Sequence, residues 1–130
     1  MKILICEDEE ILLTALEFRM RKAGFDVLLA KDGQHALDTL QTEAVDLVVA
    51  DIDMPRMTGI ELIQALREQQ KSDLPVVVIS ALEHDEEIME ALRLGGTDFV
   101  AKPFKPAELV LRAKCIFQAK AMQEAAKEEK

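Results

Sequence analysis

Leu47-Val48-Val49-Ala50-Asp51-Ile52-Asp53 opens with four apolar residues and stops on a carboxylate. The apolar run is continuous rather than alternating, the pattern of a strand covered on both faces in a parallel sheet. Four similar runs occupy residues 3–6, 27–30, 76–79 and 99–101. Between them the apolar residues recur at helical spacing: Leu12, Leu13, Leu16 and Met20; Ala36, Leu37 and Leu40; Leu62, Ile63 and Leu66; Ile88, Ala91 and Leu92; and finally Leu109, Ala113, Ile116 and Phe117. Gly24 and the pair Gly95-Gly96 stand where the first and fourth helices should stop. Five alternations of strand and helix predict an α/β fold: a doubly wound five-stranded parallel sheet with right-handed crossovers and helices on both faces. The flavodoxin-like (βα)5 strand order 2-1-3-4-5 is the expected one, which puts the site outside the carboxyl ends of the strands, near the switch between strands one and three.

Length and charge narrow the classes. A chain of 130 residues makes one ordinary domain that needs neither a disulfide nor a structural metal to fold. With 16 Lys plus Arg against 25 Asp plus Glu, the formal charge is −9, which disfavours nucleic acid and anionic membrane as direct partners. No apolar stretch approaches the roughly 20 residues that span a bilayer, and the N-terminus does not read as a signal peptide, so a cytoplasmic location is expected. Cys6 and Cys115 read as small buried hydrophobes and His35 and His84 as surface helix residues, none with metal-ligand spacing. Residues 120–130, rich in helix formers, are expected to prolong the last helix into solvent, as a charged extension of a domain ending near residue 119 or as a linker toward an output domain.

The residues that directly follow the strands carry the chemistry. They are Glu7 and Asp8 after the first, Asp51 after the third, Ser80 after the fourth and Lys102 after the fifth. The second strand ends in Lys31-Asp32, but as an edge strand it is not expected to reach the site. Each residue also has an ordinary reading: acids at the N-terminus of a helix, loop residues before Pro55, a helix cap, an exposed lysine. As a set, three carboxylates at neighbouring strand ends repel one another, and must either raise a pKa or hold a cation. An all-oxygen donor set suits Mg²⁺. A hydroxyl and an ammonium beside it suit a phosphoryl group, and the central Asp51 is the candidate nucleophile.

Residues 3–10, 46–59, 76–81 and 95–104 together closely resemble the receiver domains of two-component response regulators, in the right order and over roughly residues 1 to 119. The resemblance implies that Asp51 is the phospho-acceptor for a sensor histidine kinase or a small phosphodonor. It implies Asp8 as a direct Mg²⁺ ligand, Glu7 acting through water, and the backbone carbonyl of Asp53 as a further ligand. Ser80 and Lys102 would grip the phosphoryl oxygens, Ser80 and Phe99 would form the switch, and Lys102-Pro103 would be a cis peptide. The protein would then be a switch with self-catalysed phosphotransfer and dephosphorylation rather than an enzyme. It would act through the face of helix four, strand five and helix five, where a homodimer is also expected. Phe99 has plain core packing as its alternative role.

Three departures stand out. Asp53 adds an acid beside the acceptor, Leu82 places an apolar group near the phosphoryl entrance, and Glu90 stands where the dimerising transcription-factor subfamily has a basic residue. Two other readings compete. A haloacid-dehalogenase-type phosphatase shares an Asp51-x-Asp53 opening, but needs metal carboxylates after the lysine, and none follow Lys102. A pseudo-receiver used only for protein interaction would lack one of the five key groups, and all five are present.

Overall fold

The computed structural model describes residues 1–70, 72–81 and 85–128. In chain order the elements are β1 (Lys2–Cys6), α1 (Glu10–Lys22), β2 (Asp26–Ala30), α2 (Gly33–Thr42), β3 (Leu47–Asp51), α3 (Gly59–Gln64), β4 (Val76–Ala81), α4 (Asp85–Arg93), β5 (Asp98–Lys102) and α5 (Pro106–Glu128). The five strands are all parallel and lie in the order β2-β1-β3-β4-β5, the doubly wound flavodoxin-like arrangement expected from the sequence.

Successive residues of each strand serve opposite layers. Leu4, Cys6, Val48, Ala50, Val76 and Val78 pack with Ala36, Leu37, Leu62, Ile63, Ile88 and Ala91 of α2, α3 and α4. Their neighbours Ile3, Ile5, Leu47, Val49, Val77 and Ile79 pack with Leu13, Leu16 and Met20 of α1 and Leu109, Ala113 and Phe117 of α5. Burial on both faces is the physical cause of the unbroken apolar runs, each such side chain contributing about 1.5–3 kcal/mol when removed from water. Phe25 and Phe117 close the α1–α5 layer edge to face, with ring centroids 5.4 Å apart.

The starts of α2 and α3 are set by side chains. Asp32 caps α2, its Oδ1 accepting from the His35 amide at 2.8 Å. Thr58 and Glu61 cap α3 reciprocally: the Glu61 amide donates to Thr58 Oγ1 at 3.2 Å and the Thr58 amide to Glu61 Oε1 at 3.1 Å. Beyond Gln64 the third helix widens into a π-helical turn, Ala65–Gln69, that periodicity did not announce. Arg67 of this turn donates to the Ser72 carbonyl at 2.9 Å and the Gly95 carbonyl at 2.7 Å, tying the turn to the α4–β5 connection.

Cys6 is buried as expected, but Cys115 is exposed. The correction follows from the phase of α5, whose buried stripe is Leu109, Ala113 and Phe117, leaving Cys115 on the other side. His35 is exposed on α2 as expected, whereas His84 and Leu82 lie outside the described residues. After Phe117 every described residue of α5 is exposed. Among the described residues no helix is long and apolar enough to cross a membrane.

Candidate functional site

Four of the predicted residues meet at the carboxyl edge of the central strands. Glu7, one residue past β1, is fully buried; Asp51, the last residue of β3, is 2% exposed; Asp8 is open to solvent. Carboxylate oxygens of Glu7, Asp8 and Asp51 all lie within 4.8 Å of one another. The register of β1 against β3 and of β3 against β4 brings these strand ends side by side. Lys102, at the end of β5, reaches back across β4. Its Nζ donates to Asp51 Oδ2 at 2.5 Å and to Glu7 Oε1 at 3.1 Å. The Lys102–Pro103 peptide bond is cis.

One ammonium faces three acids, and the imbalance shows in the titration of the pocket. Burial pushes the Glu7 carboxyl up to about 8, the neighbouring Asp51 adds to the shift, and Lys102 only partly opposes it. Partial burial works against the charge on Lys102, but its hydrogen bonds to Asp51 and Glu7 and their charges outweigh that and raise its pKa. Glu7 Oε2 is buried without a hydrogen-bond partner. A buried, unpartnered carboxylate oxygen is costly.

The remaining predicted residues surround this core. Asp53 is exposed, and its amide donates to Asp51 Oδ1 at 2.9 Å, fixing the Asp51 carboxylate against the start of the loop. Ser80 is buried on β4, between the strand ends that carry Asp51 and Lys102, and its hydroxyl donates to the Ala81 carbonyl at 3.2 Å rather than to either of them. Phe99 on β5 is half-buried and packs against the layer of α2, α3 and α4. Gly59 is required by close approach: a Cβ there would lie 2.5 Å from the Asp51 carbonyl oxygen.

The β2–α2 loop was not expected at the site, yet it borders it. Lys31 Nζ donates to Glu10 Oε1 at 2.9 Å on the β1–α1 side, and Asp32 Oδ2 stands 3.6 Å from Arg56 Nε in the β3–α3 loop. In the sequence Lys31-Asp32 was visible only as the end of the second strand; the cross-loop partner of Asp32 was not.

Against known proteins, the response regulator receiver domain family matches residues 3–114. The chain belongs to that family. It is 38% identical over 117 residues to the alkaline phosphatase synthesis transcriptional regulatory protein PhoP of Bacillus subtilis, a match covering 90% of this chain and 48% of the relative. This receiver thus spans about half the length of the curated relatives it matches. Among solved structures it is similar to the receiver domain of the Francisella response regulator 1452, at 32% identity and a TM-score of 0.85, covering 92% of this chain and 98% of that one. It is also similar to NtrX from Brucella abortus, at 28% identity and a TM-score of 0.89, covering 99% of this chain and 29% of that one. The receiver is therefore a module of two-component signalling, and neither the phosphatase reading nor the pseudo-receiver reading is favoured.

Proposed function

We propose that Asp51 accepts a phosphoryl group in a Mg²⁺-dependent reaction and that the domain, residues 1–119, switches its surface in response. The observation that carries this reading is the acid pocket itself: two buried carboxylates and one exposed one, with a single ammonium and one orphaned oxygen, Glu7 Oε2. Such a pocket fits a small hard cation. Asp8 and Asp51 would hold Mg²⁺ directly, Glu7 through water, and the Asp53 backbone carbonyl would complete the protein's share. When bound, Mg²⁺ supplies positive charge that offsets the carboxylates and the phosphoryl oxygens.

The residues of the chain then divide the work. An Asp51 carboxylate oxygen attacks phosphorus as the P–N bond of a phosphohistidine, or the P–O bond of acetyl phosphate, breaks, giving an acyl phosphate and the free imidazole or acetate. Lys102, now held by Asp51 and Glu7, transfers its hydrogen bonds to the phosphoryl oxygens. The Ser80 hydroxyl turns from the Ala81 carbonyl toward the same oxygens, and Phe99 follows inward. Water attack on phosphorus later returns the carboxylate and inorganic phosphate.

A sensor histidine kinase is the donor this chemistry implies. The face that changes is that of α4, β5 and α5, where a second copy can pair. There Arg112 donates to Asp98 at 2.6 Å and to Glu108 at 3.4 Å, and Glu90 is paired with Arg93 of its own helix. The exposed end of α5 serves as a linker helix. The test is incubation with acetyl phosphate with and without Mg²⁺. A hydroxylamine-labile phosphoryl adduct in the intact mass, present with Mg²⁺ and absent from Asp51→Asn, is expected; an adduct that survives Asp51→Asn sinks the proposal.

A further inference from the structure

The β3–α3 loop carries Asp53, and its shape is unusual. Arg56 has φ of 65°, the one residue other than glycine with positive φ among the described residues. The Met57 amide donates to the Pro55 carbonyl at 2.7 Å, closing a three-residue γ-turn around Arg56. This form of γ-turn is rare and strained, and persists only where the surroundings hold it.

The ends of the loop are fixed by its own strand and helix. The Asp53 amide is bonded to Asp51, the Gly59 amide donates to the Ile52 carbonyl at 3.0 Å, and Thr58 is locked in its capping box. The middle of the loop is held from the other side of the site. Asp32, 8% exposed, uses one oxygen to cap α2 and turns the other to Arg56 at 3.6 Å. Gly33 lies so close to Met57 that a Cβ on it would collide with the Met57 carbonyl oxygen and side chain. The helix behind this contact is anchored in the core by Ala36 and Leu37. A rigid element therefore braces the strained part of the loop next to the acceptor.

We propose that Asp32 and Arg56 are positioning residues for the metal: their ion pair holds the γ-turn, and with it the backbone of Asp53, in the arrangement that receives Mg²⁺. This rests on the reading of the pocket given above and assigns roles to two residues outside it. A strained turn kept only for chain reversal would be improved by glycine, whereas a turn held for the metal would lose affinity when its brace is removed.

The experiment uses the full chain and two readouts: thermal stability titrated with Mg²⁺ from a chelator-treated start, and the acetyl phosphate adduct across the same Mg²⁺ range. Arg56→Gly keeps the positive φ at no strain and removes the ion pair. Asp32→Asn keeps the cap on α2, because Asn caps as well as Asp, and removes the charge. Both are expected to melt in chelator at or near the wild-type temperature, Arg56→Gly slightly above it. Both should need roughly two- to fivefold more Mg²⁺ for half-saturation, the range an exposed ion pair commands, while reaching the wild-type adduct level at saturating Mg²⁺. Arg56→Lys should restore the wild-type midpoint, and the double variant should be no worse than the weaker single one. Wild-type Mg²⁺ midpoints in Arg56→Gly and Asp32→Asn, or additive losses in the double variant, overturn the assignment. A wild-type chain that neither gains stability with Mg²⁺ nor forms the adduct overturns the reading of the pocket, and this inference with it.

Discussion

Replacing Glu7 by Gln should make the metal-free protein more stable at neutral pH. Glu7 is fully buried, its Oε2 has no partner, and its carboxyl is pushed from the ordinary 4.5 up to about 8. At pH 7 the unfolded chain holds the group ionised and the metal-free fold holds it protonated. An acid whose folded pKa lies above its unfolded value lowers stability as pH rises, beginning near 4.5 and levelling off near 8. From 4.5 to pH 7, at about 1.4 kcal/mol per unit, the penalty is about 3 kcal/mol. Gln escapes it, because its neutral amide carries no charge to desolvate. Allowing about 1 kcal/mol for a weakened hydrogen bond to Lys102, the gain is about 2 kcal/mol. For a domain of this size that raises Tm by roughly 6–10 °C. Urea and thermal unfolding in chelator at pH 7 and pH 5 measure it: the advantage of Glu7→Gln should shrink at pH 5. If Mg²⁺ binds there as proposed, the advantage should also shrink on adding it, because a bound cation would stabilise the ionised wild-type pocket more than the variant. A variant no more stable than wild type at pH 7, or an advantage equal at both pH values, would refute the reasoning.

Gly59→Ala forces a Cβ to within 2.5 Å of the Asp51 carbonyl oxygen and 3.0 Å of its carbonyl carbon, and neither backbone atom can step aside. A loss of about 1–3 kcal/mol in urea unfolding is expected, with a slower acetyl phosphate reaction; an unchanged midpoint would show that the strand end is softer than it looks. Lys102→Met leaves Asp51 without its cation, and because Glu7 is already protonated in the metal-free fold only one buried charge is orphaned, which holds the loss to about 2 kcal/mol in chelator. Mg²⁺ should recover most of that stability while the phosphoryl adduct stays low, so an equal deficit with and without Mg²⁺ counts against the role of Lys102 as a counter-charge. Iodoacetamide should add to Cys115 and spare Cys6, which is buried and whose thiol is pushed up by that burial and by Asp32. Intact mass of the native protein should show one adduct, and two would contradict the burial of β1.

The fold was legible because burial on both strand faces writes itself into the chain as unbroken apolar runs, and because Gly24 and Gly95 punctuate the helices between them. The acid pocket was legible for a related reason. In a parallel sheet every strand points the same way, so Glu7, Asp51 and Lys102 share an edge although 95 residues separate the first from the last. What escaped is what depends on the path of the loops. Asp32 and Arg56 meet because a left-handed turn swings one loop onto another, and nothing in the spelling of Pro55-Arg56-Met57 marks that residue as left-handed. Cys115 was misplaced because α5 carries apolar residues on more than one side, so periodicity alone did not choose the buried stripe. The direction of the Ser80 hydroxyl, toward Ala81, is a rotamer choice set by local partners and has no trace in the sequence.

The odd–even division of the strands has a practical use. Val76 and Val78 of β4 put their methyl groups into the layer of α2, α3 and α4, while Val77 and Ile79, one residue away on the same strand, put theirs into the layer of α1 and α5. Isotope-labelled methyl groups on this one strand, all within four residues upstream of Ser80, therefore form two sets of internal reporters with a common backbone. A disturbance that enters at the carboxyl edge and spreads through one layer alone will move one set of resonances and leave the other still.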